Sequence, residues 1–454
     1  MERSIIVRTD SYKPSQWVQY PENTEYVCSY IESRGGEYEK QVFKGLQYLL
    51  KRYLMRRITL RDVDIAEKFW AAHGEPFNRA GWEHIVKVHK GKLPLEIRAV
   101  KEGTVLAPKN ILAYVINTDP KCFWLTSYVE TLLLKVWYPM TVCTVSYNIK
   151  LLIKKYLEET GDVAGLPFKL HDFGYRGVSS EESAEIGGAA HLVNFMGTDT
   201  VAGIFHLEDY YNASEMTGFS IPASEHSTIT SWGRKNEKKA YENMIKQFAK
   251  APIFACVSDS YNIYEAIKMW GELKEQIIAN GQILVVRPDS GDPVAMSLEC
   301  VQLLDKEFGS TVNDKGYKVL NNVRVIYGDG ISSPKVIAEI LEGLKVAKYS
   351  ADNIAFGMGG GLLQKVDRDT MKFAMKCSAI IQNGEVVDVY KDPITDPGKV
   401  SKKGFLDLVK QNGEYVTVTR GIKPLENSEL ELVFLNGELI RDQSINEIRA
   451  LAAA

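Results

Sequence analysis

The sequence predicts an α/β protein in which an irregular (β/α) barrel domain is joined to a flanking α+β domain. Two patterns carry this prediction. In the middle of the chain, apolar strand-like runs end in Gly, Asp or Ser and are followed by helical patterns, which is typical of βα units on a parallel sheet. Near the carboxyl terminus, Asn-Gly pairs between strand-like runs indicate antiparallel hairpins.

The amino-terminal part of the chain combines helical and strand patterns. Residues 41–56 carry apolar side chains at helical spacing, whereas residues 95–106 and 111–117 have the composition of strands. Residues 123–156 predict a helical hairpin that breaks at Pro139, because proline removes a helix hydrogen bond. This mixture is expected of an α+β domain.

The middle of the chain repeats the order strand, polar turn, helix. Strand-like runs at residues 253–257, 283–286, 323–326 and 353–356 each end in a polar or glycine-rich turn. Ligand-type residues at the end of every strand favour a barrel, in which ligands sit among the loops that follow the strands. A doubly wound open sheet is the alternative, since its ligands also gather at the carboxyl ends of strands.

The last part of the chain changes to hairpin signals. Asn383-Gly384, Asn412-Gly413 and Asn436-Gly437 each lie between two strand-like runs. Such a tail can rejoin the amino-terminal part and leave the barrel as a middle insertion. We therefore expect a flanking domain with an antiparallel sheet from residues 1–165 and 377–454, and a barrel domain from residues 166–376.

Composition excludes several classes of protein. With 55 basic and 58 acidic side chains and a net charge of −3, the chain has no global positive charge for nucleic acid or anionic lipid. Charges and Pro139 interrupt the most apolar stretch, residues 123–145, so no membrane span is expected, and the charged residues 1–13 argue against a secretory signal. The six scattered cysteines form no Cys-x-x-Cys pair, which argues against a zinc site or disulfides and favours the cytoplasm.

Residues 171–180 form the first candidate binding loop. Its glycines let the backbone approach a ligand, Phe173 or Tyr175 offers a flat face to a planar ring, and Arg176 suits an oxyanion. The two serines that end the run can cap a helix beginning at Glu181. A surface loop leading into that helix is the alternative interpretation.

Other candidates lie at other predicted strand ends. The glycine-rich residues 357–361 suit a phosphate, because such a loop exposes several backbone N–H groups to one anion; a plain tight turn is the alternative. Asp259, Asp289 and Asp329 each follow a strand, which favours a shared pocket over three separate helix caps, and carboxylates beside bound phosphates suit Mg²⁺. His226 is flanked by hydroxyls and a carboxylate at a predicted helix start.

Seven short motifs follow one another along nearly the whole chain. They are Thr9-Asp-Ser-Tyr-Lys13, His171 to Ser180, Gly197-Thr-Asp-Thr200, Pro222-Ala-Ser-Glu-His226, Arg287-Pro-Asp-Ser-Gly291, Gly328-Asp-Gly330 and Gly357 to Gly361. In residues and order they closely resemble the nicotinamide phosphoribosyltransferases of the type II phosphoribosyltransferase family. The resemblance implies transfer of a phosphoribosyl group from phosphoribosyl pyrophosphate to nicotinamide, which gives nicotinamide mononucleotide and pyrophosphate in NAD salvage. It also implies a homodimer with active sites at the subunit interface.

The resemblance also assigns roles to residues of this sequence. Phe173 and the partner subunit's Tyr12 would sandwich the pyridine ring, and Asp199 would accept a hydrogen bond from the carboxamide. His226 matches a histidine that family members phosphorylate with ATP, which is a facultative co-substrate. The reaction would also use Mg²⁺, held mainly by the substrate phosphates. The implied catalytic residues are His226, Asp259, Arg287 and Asp289. The further substrate-binding residues are Asp10, Arg34, Arg176, Ser220, Gly328, Asp329, Gly359, Gly360, Arg368, Lys376, Lys391 and Lys399.

The sequence departs from the animal members of the family at two places. The segment after Arg34 is shorter, which we expect to change the surface more than the site. Ala374 stands where those members carry a serine near a phosphate, so one phosphate hydrogen bond is in doubt. Two other interpretations remain open, a nicotinate phosphoribosyltransferase with the same fold and a metabolite-binding protein that keeps the scaffold without turnover.

Overall fold

The computed structural model describes residues 3–395 and 399–454, so the first two residues of the charged amino-terminal segment lie outside the described part. The chain divides into two compact units. Unit 1 comprises Met1–Thr144, Leu207–Ala213 and Asp367–Ala454, and unit 2 comprises Val145–His206 and Ser214–Val366. The sequence pattern placed the divisions near residues 165 and 376. The first structural division instead falls within one continuous helix, Trp137–Thr160.

The strands alternate with helices in the middle of the chain and follow one another near its end. They are β1 (Thr24–Ser33), β2 (Gln41–Val42), β3 (Leu95–Ala99), β4 (Val105–Leu106), β5 (Ile111–Asn117), β6 (Leu170–Asp172), β7 (Gly197–Thr198), β8 (Ile253–Val257), β9 (Ile283–Arg287), β10 (Ser310–Val312), β11 (Lys318–Leu320), β12 (Val323–Tyr327), β13 (Ile354–Met358), β14 (Phe373–Gln382), β15 (Glu385–Asp388), β16 (Phe405–Gln411), β17 (Glu414–Arg420), β18 (Glu431–Leu435) and β19 (Glu438–Leu439).

The helices range from single turns to the long helix that contains the unit division. They are α1 (Leu46–Leu49), α2 (Leu60–His73), α3 (Arg79–Val88), α4 (Leu125–Tyr128), α5 (Glu130–Leu133), α6 (Trp137–Thr160), α7 (Glu181–His191), α8 (Val201–Tyr210), α9 (His226–Thr230), α10 (Glu237–Gln247), α11 (Ile263–Ala279), α12 (Pro293–Phe308), α13 (Pro334–Val346), α14 (Gly360–Leu363) and α15 (Ile445–Ala453). A π-helical turn, Leu50–Leu54, continues α1. The 3₁₀ turns are Ile5–Val7, Lys13–Val18, Pro120–Cys122, Leu134–Val136, Val163–Phe168, Tyr175–Gly177, Arg234–Asn236 and Ala351–Asn353. No helix in the described residues is both long and apolar enough to cross a membrane.

Unit 2 is built on a parallel sheet with the strand order β7-β6-β13-β12-β9-β8. Helices α11, α12 and α13 connect its later strands, as expected for parallel neighbours that need a crossover. Asn262 and Asp292 cap the first two of these helices with their side-chain oxygens, so the polar turn after each strand also starts the next helix.

One short segment, residues 219–223, joins the two edges of this sheet. Phe219 forms a parallel bridge to Gly197 in β7, and Ala223 forms one to Ala255 in β8. Ala255, Val285 and Ile326 form a buried cluster with Phe173 and Ile221 packed against it, which fills the inside of the curled sheet. The barrel prediction is therefore confirmed against the open-sheet alternative.

Unit 1 contains an antiparallel sheet with the strand order β15-β14-β1-β5-β3-β18-β19. All three Asn-Gly pairs form the hairpin turns predicted for them, between β14 and β15, between β16 and β17, and between β18 and β19. In each pair, both residues have positive φ, for example 52° at Asn383 and 77° at Gly384. These angles fit the two-residue hairpin turn that asparagine and glycine adopt most easily.

Two predicted helical elements of the amino-terminal part are different in the structure. Pro139 does not break a helical hairpin, because it lies in the first turn of α6, where a missing N–H leaves no helix bond unmade. The helix predicted at residues 41–56 is shorter, since Gln41 and Val42 form β2 instead and pair with β4. Gly45 caps the start of α1 with φ of 103°, and a Cβ there would lie 2.2 Å from the Pro139 ring.

Candidate active site

The carboxyl edge of the parallel sheet in unit 2 gathers the polar residues that follow its strands. Because all these strands run in the same direction, their last residues meet at one edge. Predicted site residues follow all six strands and the segment that joins the edges. They are Phe173 after β6, Asp199 after β7, His226 after residues 219–223, Asp259 after β8, Asp289 after β9, Asp329 after β12 and Gly359 after β13.

The Phe173 ring lies against the ends of the two neighbouring strands. A Cβ at Gly357 would lie 2.0 Å from the ring, and one at Gly328 would lie 3.0 Å from it. Any larger residue at position 357 would therefore displace the ring. The Phe173 N–H donates to the Met358 carbonyl oxygen at 3.0 Å, which fixes the backbone below the ring. Tyr175, the other aromatic residue of this loop, donates its hydroxyl to Glu181 at 2.7 Å.

Asp199 leaves the sheet beside Phe173. The pairing of Asp172 with Thr198 places the two following residues next to each other, and the Asp199 N–H donates to the Asp172 carbonyl oxygen at 2.9 Å. The exposed Asp199 side chain accepts a hydrogen bond from the Ser220 hydroxyl at 3.0 Å. A flat aromatic face and an oriented carboxylate thus leave adjacent strands.

Asp172 is a functional candidate to which the sequence interpretation gave no role. Its side chain is 0 % exposed. One oxygen accepts the Gly174 N–H at 2.7 Å, and Oδ2 is buried. Burial raises the pKa of the Asp172 carboxyl to about 6, against the effects of hydrogen bonds from Gly174 and Thr200 and with a smaller contribution from the Asp199 charge.

His226 begins helix α9 and faces two carboxylates. Its Nε2 lies 3.7 Å from Asp259 Oδ1 and 3.6 Å from Asp289 Oδ2, and its Nδ1 lies 3.2 Å from the Ser260 hydroxyl. The imidazole is 44 % exposed, so it is open to a ligand, whereas the Asp259 side chain is only 6 % exposed. Ser260 was not predicted as a site residue, although its position directly after Asp259 at the end of a strand indicates one.

Hydrogen bonds hold the two carboxylates in place. Asp259 Oδ2 accepts the Asp289 N–H at 2.9 Å and a short hydrogen bond from the Ser290 hydroxyl, while Oδ1 is buried with no hydrogen-bond partner among the described residues. Arg287 donates to Asp289 at 3.2 Å. The Tyr327 hydroxyl donates to the backbone oxygens of Ser290 and the following glycine at 3.1 and 3.2 Å, which anchors the loop.

The glycine-rich loop lies beside the loop of Arg176. Gly359 caps the short helix α14, and nothing lies within 4 Å of the position that a Cβ would occupy at Gly360. The Cβ position of Gly177 is 3.7 Å from the Gly360 backbone nitrogen, so the two loops approach each other closely. Arg176 and Asp329 are both exposed. This surface is open to a ligand at the end of β13.

Unit 1 brings together four of the five cations predicted to collect phosphates. Burial lowers the pKa of the Lys376 ammonium; Glu130 opposes this shift, and the nearby charges of Arg34, Lys391 and Arg368 lower the pKa further. Arg34, Lys391 and Arg368 therefore lie near enough to Lys376 for their charges to act on it. Such a cluster favours an anion.

Arg34 is held by an acidic side chain of the strand that it follows. Its Nε donates to the buried Glu32 at 3.3 Å, and Lys402 donates a short hydrogen bond to the same carboxylate. The Nη2 atom of Arg34 is buried without a hydrogen-bond partner among the described residues. Ala374 pairs with Glu32 in the neighbouring strand and offers no hydroxyl there. Lys399, the fifth predicted cation, is exposed.

The remaining two predicted residues, Asp10 and Tyr12, lie in the amino-terminal segment of unit 1. Asp10 accepts the Thr131 hydroxyl at 2.7 Å. Tyr12 is 56 % exposed, and its ring lies beside the Lys13 ammonium at 5.5 Å. Its exposed ring is free to pack on another surface.

Comparisons with known proteins match almost the entire chain. The family model described as nicotinate phosphoribosyltransferase (NAPRTase) family matches residues 168–427, and the model described as nicotinamide phosphoribosyltransferase, N-terminal domain, matches residues 4–97. The nicotinamide phosphoribosyltransferase of Xanthomonas campestris pv. campestris is 52 % identical over 99 % of this chain and 98 % of the relative. That of Acinetobacter baylyi is 34 % identical over 97 % and 95 %.

Solved structures with low sequence identity share the fold. A nicotinate-nucleotide pyrophosphorylase from Pyrococcus furiosus matches with a TM-score of 0.62 and 17 % identity, covering 99 % of this chain and 95 % of that one. Human nicotinic acid phosphoribosyltransferase matches with a TM-score of 0.56 and 17 % identity, covering 97 % and 91 %. At this identity the likeness concerns the fold alone.

Proposed function

This chain belongs to the nicotinamide phosphoribosyltransferase family, and from that premise we propose that it transfers a phosphoribosyl group from phosphoribosyl pyrophosphate to nicotinamide. The products are nicotinamide mononucleotide and pyrophosphate, so the reaction is a pentosyl transfer in NAD salvage.

The observation that carries the proposal is the pairing of Phe173 with Asp199. The strands that end before them are hydrogen-bonded neighbours, so the aromatic residue and the carboxylate leave adjacent strands at the mouth of the barrel. A pyridine ring stacks on the first, and its carboxamide N–H donates to the second. Ser220 turns Asp199 by occupying its Oδ1 atom, which leaves Oδ2 to the substrate.

The same carboxylate discriminates against nicotinate. Two like charges ~4 Å apart at an effective dielectric of ~20 repel by about 4 kcal/mol. This corresponds to roughly a thousandfold preference for the amide, as an upper bound. Asp199→Asn keeps the acceptor for Ser220 and removes the charge, so the ratio of kcat/KM values for nicotinamide and nicotinate should fall by up to that factor.

The test compares both bases with phosphoribosyl pyrophosphate as the common substrate. Ser220→Ala is the matched control, since it releases Asp199 from its hydrogen bond but keeps the charge; it should change KM for nicotinamide and preserve the preference for the amide. An unchanged ratio in Asp199→Asn would remove Asp199 from this role. A wild-type enzyme that prefers nicotinate would support the alternative activity, and binding without turnover would support a binding protein.

The reaction needs no general base, because the pyridine nitrogen has a free lone pair at neutral pH. As that nitrogen bonds to the anomeric carbon, the bond to pyrophosphate breaks and the leaving group carries away its negative charge. Cations and positioning are therefore the main requirements. The cluster of Arg34, Arg368, Lys376 and Lys391 is suited to bind phosphate groups.

We further propose that ATP phosphorylates His226. The Nδ1 atom lies against the Ser260 hydroxyl, so Nε2 is the nitrogen left to accept the γ-phosphoryl group while ADP departs. Water later cleaves the phosphohistidine to phosphate. In His226→Ala, the increase in rate caused by ATP should disappear while measurable transfer without ATP persists. Loss of that transfer with ATP stimulation intact would contradict the assignment.

The carboxylates around His226 are suited to Mg²⁺. Asp259 Oδ1 is buried and lacks a hydrogen-bond partner among the described residues, and Asp289 Oδ2 faces the same imidazole nitrogen. Together with substrate phosphates, these oxygens are hard ligands of the kind that Mg²⁺ prefers, and the ion would neutralise phosphate charge. Asp259 and Asp289 otherwise orient the imidazole.

We also propose a cytoplasmic homodimer in which Tyr12 of one subunit completes the base site of the other. The exposed Tyr12 ring supports the dimer, and the free cysteines suit a reducing compartment. Tyr12→Ala and Phe173→Ala should each be nearly inactive alone. Mixed by unfolding and refolding together, they should recover about a quarter of the wild-type sites, since half of the dimers are mixed and carry one intact site. No recovery in verified mixed dimers would exclude sharing.

A further inference from the structure

Four potential metal ligands of unit 1 lie together, and none of them is among the residues proposed to bind substrate. His84, His89, Asp119 and Cys122 each offer one ligand atom, and these atoms all lie within 4.8 Å of one another. The Nε2 atoms of His84 and His89 lie 2.7 and 2.6 Å from the same oxygen of Asp119. We propose that these side chains form a transition-metal site of the zinc class.

The kinds of donor atom select the class of metal. Two imidazole nitrogens, one carboxylate oxygen and one sulfur are ligands of Zn²⁺ and chemically similar ions, whereas Mg²⁺ and Ca²⁺ prefer oxygen alone. With the thiol deprotonated, one carboxylate and one thiolate balance a divalent charge. The proton displaced from the thiol passes to solvent, and each imidazole coordinates through Nε2 with its proton on Nδ1.

The backbone holds these ligands on defined elements. His84 lies in helix α3, and His89 caps the end of that helix. Asp119 caps the 3₁₀ turn that ends at Cys122, accepting the Lys121 N–H at 2.9 Å. Ligands on such rigid positions need little ordering when the ion binds.

Asparagine 117 fixes the start of the ligand-bearing loop. The Asn117 amide donates to the backbone oxygens of Glu25 and Asp119, both at 2.9 Å, and its oxygen accepts the Val27 N–H. The loop is thus tied to β1. A metal ion here would cross-link the end of α3 to the loop after β5.

The simplest alternative is an ion-free cluster in which both imidazoles donate to Asp119. That arrangement explains three of the four side chains. It does not explain Cys122, whose thiol is 0 % exposed, points to the same cluster and has no hydrogen-bond partner among the described residues. A zinc site with a single cysteine, like this one, gives no Cys-x-x-Cys pattern in the sequence.

Small movements would bring the ligands to coordination distance. Bonds of about 2.0–2.3 Å place neighbouring ligand atoms of a tetrahedral ion about 3.3–3.8 Å apart. The two N–O contacts must therefore open by less than about 1 Å, while the wider pairs close by a similar amount. His84 also lines a cavity of about 360 Å³ with Asn78, Lys121 and Trp124, which gives an ion access from solvent.

The test uses the full-length protein, stripped with chelator and titrated with Co²⁺ and then Zn²⁺. We expect one equivalent of Co²⁺ to give a sulfur-to-cobalt charge-transfer band and strong tetrahedral d–d bands, which Zn²⁺ abolishes. Cys122→Ala should lose the charge-transfer band, and His89→Gln should weaken binding by more than about tenfold. The matched control is Cys28→Ala, which removes another buried thiol and should keep both the charge-transfer band and the d–d bands.

Several outcomes would overturn the proposal. Wild-type protein with no bound Co²⁺, or with only the weak spectrum of an octahedral ion, has no such site. A charge-transfer band that survives in Cys122→Ala or disappears in Cys28→Ala places the ion on another thiol. If a ligand variant fails to fold, the wild-type spectrum and its loss on adding Zn²⁺ decide the question.

Discussion

Replacing the buried Asp172 with asparagine should make the stability of the protein less dependent on pH. The carboxyl is 0 % exposed, and burial raises its pKa from 3.8 to about 6. The folded state therefore holds this proton more tightly than the unfolded state. The resulting stabilisation is complete below pH 3.8 and is lost as the pH rises through 6.

The size of the effect follows from these two pKa values. At pH 8 the full difference of about 2.2 units applies, and at about 1.36 kcal/mol per unit the buried charge costs about 3 kcal/mol. At pH 5 the folded carboxyl is still mostly protonated, and the same linkage relation gives a cost of about 1.6 kcal/mol. Asparagine remains neutral and can still accept the Gly174 N–H. The advantage of Asp172→Asn in unfolding free energy should thus grow by about 1.4 kcal/mol between pH 5 and pH 8.

Urea unfolding at several pH values from 5 to 8 measures this change. Comparing the variant with wild type at each pH cancels the titration of all other groups. Asp314→Asn is the control, because that aspartate is exposed in the turn between β10 and β11. Its difference from wild type should not vary with pH. A constant difference for Asp172→Asn would refute the reasoning, since the folded carboxyl would then titrate like an unfolded one.

Three further predictions concern packing and charge. Gly357→Ala should raise KM for nicotinamide strongly, because its Cβ would lie 2.0 Å from the Phe173 ring. In the control Gly343→Ala, the new Cβ in α13 meets nothing within 4 Å and should stabilise the helix by about 1 kcal/mol. Equal effects of the two variants on KM and on thermal unfolding would contradict this. Lys376→Met should raise KM for phosphoribosyl pyrophosphate and reduce its dependence on salt, and an unchanged KM would separate the cation cluster from phosphate binding. Lys44 and Glu102 form a buried ion pair at 3.1 Å, so Lys44→Met should lower the unfolding free energy by about 3–5 kcal/mol because it leaves Glu102 charged and unpaired. The double variant Lys44→Met, Glu102→Gln should lose markedly less, and a loss equal to the sum of the two single variants would contradict this.

Local patterns predicted much of the fold because their physical causes are local. The Asn-Gly turns need only two residues that tolerate positive φ, and the polar residues after β8 and β9 both end a strand and cap a helix. Barrel closure is different. It depends on Phe219 and Ala223 pairing with strands on opposite edges of the sheet, and a five-residue segment with a proline carries no strand signal of its own.

The site residues likewise include some that local sequence patterns predicted and others that they did not. Asp259, Asp289 and Asp329 were expected to share a pocket because each follows a strand, and the structure places the first two beside His226. The burial of Asp172 was not foreseen, since it depends on what packs over the end of β6. Arg34 was expected near Lys376 only through the family resemblance, because cations that lie far apart in the sequence carry no signal of proximity.

The segment that joins the barrel edges also ties barrel closure to His226. Four backbone hydrogen bonds close this seam, donated by the amides of Phe219, Thr198, Ser224 and Ala255. His226 lies only three positions after Ala223. These amides should therefore exchange with deuterium together, and their protection factors would report how often the ring opens while the histidine is free or occupied.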